Sequence, residues 1–336
     1  TMLMLGSKLQ TRQVARLGAS ALGILEQSEY NLYQIERQLK REFPDLELDA
    51  ALGDVCDAAT CRHVMETVKP QVVFHAAAYK HVPLLQQQLR EAFRNNVLGT
   101  RAIALAADEA GVETFVLIST DKAVNPANVM GATKRIAEIF CQNLAKRSRT
   151  RFLTVRFGNV LDSAGSVVPL FREQIRQGGP VTVTHPEISR YFMTIPEACQ
   201  LILQAATLGQ GGEIFALDMG EPIQIRYLAE QMIRLAGKLP GQDIQIVYTG
   251  LREGEKLFEE LFHEHESYQQ TRHQKIFLAQ HRAVNLDELS QALHQGDAAV
   301  RRYAVDELRE ILSRFVPEFS GRTQADGENV VPLKRA

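Results

Sequence analysis

Residues Ser119 to Lys134 read STDKAVNPANVMGATK and follow the apolar run Phe115-Val116-Leu117-Ile118. A short apolar run bounded by polar residues predicts a buried strand. The polar stretch passes into a helical pattern that continues to about Arg147. Thr120, Asp121 and Lys122 therefore put a hydroxyl, a carboxylate and an ammonium group together at the carboxyl end of a strand. In doubly wound α/β folds, ligands bind and chemistry is done at that end. A second lysine, Lys134, follows on the helix, with Met130 four residues before it.

Apolar runs and amphipathic stretches alternate on either side of this segment. Leu22 to Leu25 reads as a strand ending at Glu26, and Glu29 to Arg41 as a helix with Pro44 behind it. Leu46 to Leu52, Val72 to Ala76 and Arg151 to Phe157 read as further strands. Glu91 to Ala110 reads as one long helix closed by Gly111. Repeated β-α units of this kind predict an α/β fold with a doubly wound parallel sheet. After Asn159 the strands shorten (Val181 to Thr184, Glu213 to Leu217, Ile244 to Tyr248) and mix with helices (Ile195 to Thr207, Ile225 to Gly237). The expected organisation is a dinucleotide-binding unit over residues 1–160, a smaller mixed α/β lobe interleaved with it over 161–316, and a polar, disordered tail over 317–336.

Composition narrows the function classes. A hydrophobic content of 45% over 336 residues supports an ordinary globular core, and a net charge of −2 gives no electrostatic case for nucleic acid or an anionic membrane as partner. Cys56, Cys61, Cys141 and Cys199 form no CxxC pair and read as reduced thiols. No run of about 18 apolar residues and no signal-peptide pattern is present, so the catalytic part is expected to be cytoplasmic.

Longer words extend the reading. They are SEYNLYQIE at Ser28 to Glu36, GDV at Gly53 to Val55, HAAAYKHVPL at His75 to Leu84, RFGNVLDSAGSVVP at Arg156 to Pro169, and REGEKLFEEL at Arg252 to Leu261. Together with the Ser119 to Lys134 stretch they make the chain, from about Leu5 to about Pro317, resemble the nucleotide-sugar 4,6-dehydratases of the extended short-chain dehydrogenase superfamily. The resemblance is strongest to the large, membrane-associated branch acting on UDP-N-acetylglucosamine in bacterial polysaccharide and glycan synthesis. That branch carries methionine where its small relatives keep the tyrosine of YxxxK, and here the position is Met130. The resemblance implies a Rossmann-like fold, retained NAD⁺, a UDP-sugar substrate and a homo-oligomer, with the helix after Met130 as a candidate pairing surface. Membrane contact would come only through an upstream region not present here.

The opening departs from this pattern. The family begins with a strand and GAGGSIGSEL, whereas this chain begins TMLMLGSKLQTRQVARLG, keeping only Gly6, Ser7 and Leu9 of that signature. A glycine-rich turn lets the backbone approach a pyrophosphate at a helix N-terminus. A fragment begun inside that loop, an altered start and a rebuilt loop are three readings of the departure. Each leads to the expectation that the central strand of the sheet is missing, leaving exposed strand edges.

The resemblance implies cofactor contacts at Gly6, Glu26, Ser28, Asn31, Asp54, Val55, Ala76, Ala77, Ala78, Lys80, Ser119 and Lys134. Glu26 can accept both hydroxyls of the adenosine ribose, which favours NAD over NADP. As an isolated residue it is equally an exposed loop glutamate. Asp54 would meet the adenine amino group, the alanines would let the dinucleotide approach, and Lys134 would bond the nicotinamide ribose. A lone helix lysine is otherwise a solvated charge.

In a 4,6-dehydration a hydride leaves C4 of the sugar for NAD⁺, the C5 proton is abstracted as the C6 hydroxyl leaves, and the hydride returns to C6. Lys122 is read as the C5 base, with its pKa lowered by burial or by nearby Lys134 and the substrate's charge distribution. Asp121 is read as the acid that protonates the leaving hydroxyl, and Thr120 as the group that orients O4. Met130 has no proton to exchange, so O4 loses its proton through Thr120, Asp121 or water. The alternative is a polar loop with a surface Asp–Lys pair, worth about 1 kcal/mol at most, and a core methionine.

Substrate contacts are expected at Lys80, Thr120, Asn159, Val167, Thr184, Arg190 and Arg252, with the two arginines as pyrophosphate clamps. His81 is as readily structural. His263, His265 and His273, beside Glu264 and Glu266, read as a solvated helix end, and no metal site is expected. Rival functions are a UDP-sugar 4-epimerase, a 5-epimerising dehydratase, and a silent sugar-nucleotide-binding subunit.

Overall fold

The structure, a computed structural model, describes residues 1–5, 8–163, 165–262, 268–279 and 284–319. The first half alternates β1 (Met2–Leu5), α1 (Lys8–Arg16), β2 (Ala21–Glu26), α2 (Glu29–Glu42), β3 (Glu47–Leu52), α3 (Ala58–Val68) and β4 (Val72–His75). Next come α4 (Val82–Gln87), α5 (Leu89–Ala92), a π-helical run (Phe93–Gly99), α6 (Thr100–Glu109), β5 (Thr114–Ile118), α7 (Val129–Ala145) and β6 (Arg151–Arg156). The second half carries β7 (Asn159–Val160), α8 (Val167–Arg176), β8 (Val181–Val183), β9 (Ser189–Arg190), β10 (Phe192–Met193), α9 (Ile195–Leu208) and β11 (Ile214–Leu217). It closes with β12 (Ile223–Gln224), α10 (Ile225–Leu235), β13 (Ile246–Tyr248), β14 (Tyr268–Gln270), β15 (Ile276–Ala279), α11 (Leu286–Arg302) and α12 (Val305–Phe315).

Nine strands make one sheet in the order β14-β15-β11-β6-β5-β4-β1-β2-β3. All pairings from β11 to β3 are parallel, and β15 runs antiparallel to both β11 and β14. The strand order reverses between β1 and β4, where doubly wound sheets open a ligand crevice. All five residues of β5 are buried. Helices cover both faces of the sheet, which is why this strand reads as a continuous apolar run rather than an alternation.

The expected gap at the centre of the sheet is absent. Met2–Leu5 pairs with β2 on one side and β4 on the other, with Leu3, Met4 and Leu5 fully buried. Four apolar residues are enough to complete a strand whose neighbours supply both hydrogen-bonding edges. Gly6, expected at the phosphate turn, lies outside the described residues.

The core has three parts. On one face α3, α6, α7, α11 and α12 pack around Phe93, Phe115, Ile136, Leu293 and Leu312. On the other, α1, α2 and α9 pack around Val14, Leu39, Phe74 and Ile202. A small separate cluster joins Phe171 of α8, Val181 and Val183 of β8, and Ala229 and Ile233 of α10. The stretch 161–316 therefore divides: α8, β8, α10 and β13 build the small cluster, while β11, β14 and β15 extend the main sheet. Its last two helices, α11 and α12, return to the first face.

That return changes the role expected for the helix after Met130. Every residue of α7 from Val129 to Leu144 is buried within one chain. With no exposed face, α7 is not available as a surface for pairing with a second copy, and the apolar residues of α11 and α12 lie in the cluster that covers it. The long helix expected from Glu91 to Ala110 is likewise modified. It begins at Leu89, and Phe93–Gly99 is π-helical, a form that is rare and concentrated at functional sites. Of the tail expected over 317–336, residues 320–336 lie outside the described residues.

Candidate active site

Thr120 opens the site in an extended conformation at the end of β5, and its hydroxyl accepts the Lys122 N–H at 3.3 Å. This caps a single 3₁₀ turn over Asp121–Ala123, which the Ala123 and Val124 N–H groups close on the carbonyls of Thr120 and Asp121. The Thr120 hydroxyl donates to Asp121 Oδ1 at 2.9 Å. The same oxygen accepts from Lys122 Nζ at 2.9 Å. Asp121 Oδ2 is buried and finds no partner among the described residues. A buried, unpaired carboxylate oxygen is costly, and here it is an acceptor left open at the site.

Lys122 Nζ also donates to Asn159 Oδ1 at 3.1 Å and faces Glu259 Oε1 at 3.6 Å. Burial acts to lower its pKa, yet the carboxylates of Asp121 and Glu259 outweigh burial and hold the ammonium above its ordinary value. The expected lowering is thus reversed. Lys134 does not supply it: its Nζ is buried against the Ile118 carbonyl at 2.6 Å. It is Lys134 whose pKa falls, to about 8, because burial outweighs the attraction of Glu138.

Gly131 explains how α7 reaches this loop. A Cβ there would stand 2.0 Å from the Lys122 carbonyl oxygen, so the close approach excludes any side chain. Asn128 caps the helix by accepting the Gly131 N–H at 2.8 Å. Met130 is buried and belongs to the apolar core. Deeper still, Glu138 accepts from Ser119 Oγ at 2.6 Å, Arg156 Nε at 2.9 Å and Arg135 Nη1 at 3.0 Å. Burial opposes ionisation of Glu138, but the two arginines outweigh it and hold the carboxyl at about 2.

The REGEKLFEEL word folds over the same loop. Asn128 Nδ2 donates to the Gly254 carbonyl at 3.0 Å, and Lys256 Nζ donates to the Val124 carbonyl at 3.2 Å. Arg190, expected as a pyrophosphate clamp, spends its fork on this segment, donating to the carbonyls of Ser189 at 2.7 Å, Lys256 at 2.8 Å and Leu257 at 3.2 Å. Arg252 is exposed and lines a pocket of about 110 Å³ with Lys122, Asn128, Arg190 and Glu259. Thr184 donates to Glu255 Oε1 at 3.3 Å, and Val167 begins α8 at the edge of the small cluster. Asn159, expected to meet the diphosphate or sugar, accepts from Lys122 Nζ at the rim of the same loop.

The residues expected to meet a cofactor lie at the carboxyl ends of β2, β3, β4 and β5. Glu26 is half-buried, with Oε1 accepting the Ser28 N–H at 2.9 Å. Ser28 caps α2, accepting the N–H of the exposed Asn31 at 3.3 Å. Asp54 accepts the Cys56 N–H at 2.9 Å and Arg94 Nη2 at 2.8 Å, and Val55 is core. Ala76, Ala77 and Ala78 are half-buried and offer only methyl groups beside the β1–β4 crevice, and Lys80 is exposed. These residues fit a dinucleotide: small side chains along the crevice, an acidic group at the end of β2, and a buried lysine behind β5.

Two residues that the reading of the sequence left unassigned enter the site. Glu259 sits inside a quoted word but carried no role. Asn96, on the π-helical run, clasps Tyr79 by accepting its N–H at 2.9 Å and donating to its carbonyl at 3.1 Å, which fixes the loop holding the alanines. Among the described residues no cluster of metal-ligating side chains occurs, and no helix is long and apolar enough to cross a membrane. His263 and His265, with Glu264 and Glu266, lie outside the described residues.

A family model described as polysaccharide biosynthesis protein matches residues 4–281. The chain is 51% identical over 275 residues to the capsular polysaccharide biosynthesis protein CapD of Staphylococcus aureus, covering 81% of this chain and 46% of that one. It is 44% identical over 323 residues to the probable polysaccharide biosynthesis protein EpsC of Bacillus subtilis, covering 96% and 50%. The chain thus spans about half the length of these curated relatives. Among solved structures it resembles Pen from Bacillus thuringiensis, with a TM-score of 0.75 and 29% identity over 88% of this chain and 97% of that one. A double mutant of the dTDP-glucose 4,6-dehydratase DesIV from Streptomyces venezuelae, solved with NAD and DAU bound, shares the fold at a TM-score of 0.68 and 20% identity, covering 78% and 88%. The chain belongs to the polysaccharide biosynthesis protein family, whose fold is that of the extended short-chain dehydrogenases that modify nucleotide sugars.

Proposed function

We propose that this member of the family is an NAD-dependent UDP-sugar 4,6-dehydratase, with UDP-N-acetylglucosamine as substrate and a 4-keto-6-deoxy sugar nucleotide as product. The observation that carries the reading is the hydrogen-bonded trio Thr120, Asp121 and Lys122 at the carboxyl end of β5. An elimination needs a base and an acid side by side, and a simple epimerase has no use for that pair.

Bound NAD⁺ supplies the hydride acceptor for C4 and the hydride donor for C6. Glu26, Ala76 to Ala78 and Lys134 would hold it. Thr120 orients O4. Lys122 becomes a base when its ammonium passes one proton to Asp121 Oδ1: an N–H bond breaks, an O–H bond forms, and the ion pair becomes a neutral amine and acid. The amine then takes the C5 proton, and Asp121 protonates the departing C6 oxygen as water leaves. As C6 regains the hydride, Lys122 gives a solvent-exchanged proton to C5, and the proton that O4 released to water restores the Lys122 ammonium, so the proton count closes over one turnover.

The test is incubation of the chain with UDP-N-acetylglucosamine in deuterated water, with and without added NAD⁺, followed by NMR and mass spectrometry. A 4-keto-6-deoxy product carrying solvent deuterium at C5 is expected. Recovery of a sugar of unchanged mass with C4 inverted would replace this reading by 4-epimerisation, and no turnover by folded chain with excess NAD⁺ would replace it by a silent binding role.

A further inference from the structure

Lys122 is faced by two carboxylates, and the reaction above accounts for only one of them. Glu259 comes from the far end of the REGEKLFEEL word, almost fully buried, with Oε1 3.6 Å from Lys122 Nζ and 3.7 Å from Arg190 Nε. Its Oε2 is buried without a partner among the described residues. Bringing a second carboxylate into so dry a place is expensive unless its charge is used. Arg190 presents only Nε to this carboxylate, its two Nη atoms donating to the carbonyls of Ser189, Lys256 and Leu257, and Lys122 stands as near as Arg190 does.

We propose that Glu259 is a positioning residue for Lys122, one that with Asp121 and Asn159 pins Nζ in the pocket and determines whether it stands as ammonium or amine. An ionised Glu259 favours the ammonium, and a protonated Glu259 releases it for the transfer to Asp121. Burial pushes the Glu259 carboxyl above its ordinary value, against the pull of Lys122, Arg190 and Lys256 and with the repulsion of Asp121. Glu255 and Glu260 are engaged elsewhere, by Thr184 and Arg190 and by Lys256 respectively. The protonation of Lys122 is thus controlled by a residue of the same segment that lines the pocket through Arg252, Gly254 and Glu255.

The inference rests on Lys122 being the base, but its test does not need turnover. Trace labelling of the whole chain with acetic anhydride from about pH 7 to about pH 11, read by peptide mass, reports the amine fraction of Lys122 against exposed Lys69. In the parent chain Lys122 should reach half-labelling at higher pH than Lys69. Glu259→Gln should lower that midpoint by about one pH unit, and Glu259→Asp, which keeps the charge, should return most of it. The Asp variant and the parent carry the test alone if the Gln variant does not fold: their midpoints should lie within about half a unit, both above Lys69. A Lys122 midpoint at or below that of Lys69 in the parent, or one unmoved in Glu259→Gln, would overturn the proposal. A midpoint that moves in chain that never turns over the sugar would instead count against the dehydratase reading and leave the coupling intact.

Discussion

At the ends of β2 and β3, Glu26 and Asp54 each accept a backbone N–H from two residues further on, Ser28 and Cys56. At the end of β5, Lys122 is held by Asn159, 37 positions away, while Asn128 and Val124 are tied to a segment 126 and 132 positions on. The acidic groups on the cofactor side of the crevice are thus set by their own β-α turns, with Arg94 and Asn96 adding contacts from 40 and 17 positions on. The Thr120 to Lys122 loop, hydrogen-bonded within itself, is tied into place by chain crossings. A local turn holds its side chains whether or not distant segments are in place. A crossing positions its groups only when the whole fold is complete, and so it couples the chemistry to stability.

Substitutions should separate the two regions. The largest effect is expected for Lys122→Ala, which should reduce dehydration by about 10³-fold or more while leaving UDP-sugar binding nearly intact, as compared by single-turnover kinetics and calorimetric titration. Residual turnover within about tenfold of the parent would remove Lys122 as the base. Next is Glu138→Gln, which strips the partner from buried Arg156 and Arg135 and should cost about 3–5 kcal/mol in urea unfolding. The same carboxyl gives a pH signature. Its pKa in the fold is about 2, below the ordinary 4.5, so the folded state binds fewer protons than the unfolded chain. Its contribution is full above about pH 4.5 and is lost as pH falls toward 2, which acid titration of the parent against Glu138→Gln would register.

Gly131→Ala should cost about 1–3 kcal/mol and lower turnover together with stability, because the added methyl pushes α7 away from Lys122. Full activity in this variant would mean that the crossing tolerates slack and would blunt the contrast between the regions. The smallest effect is expected for Ser28→Ala, about 1 kcal/mol from loss of the α2 cap. Its NAD affinity should change only as far as Glu26 is disturbed, so a large loss of affinity would show that the cofactor side is not locally assembled after all.

Legibility followed the same division. The strands at Leu22 to Leu25 and Phe115 to Ile118 could be read because a strand buried on both faces must be apolar along its length, whereas Leu46 to Leu52 is a largely exposed edge strand. The opening strand was missed because Met2–Leu5 has only four residues and lacks the glycine-rich turn that usually marks it. The π-helical run was missed because its pattern differs from an α-helix by a widening that periodicity does not register. Burial of all of α7 was missed because it depends on helices that return from about 150 positions later, and nothing within α7 announces them.

The amino-acid sequence alone determined the doubly wound sheet, the placement of Thr120 to Lys122 at the end of β5, and the family, because periodicity and long words are properties of neighbouring residues. Only the tertiary structure decided the charge on Lys122, the engagement of Arg190 and the place of Glu259. Those depend on which distant groups come within about 4 Å in a dry pocket. Coulomb attraction and desolvation act through space and take no account of separation along the chain.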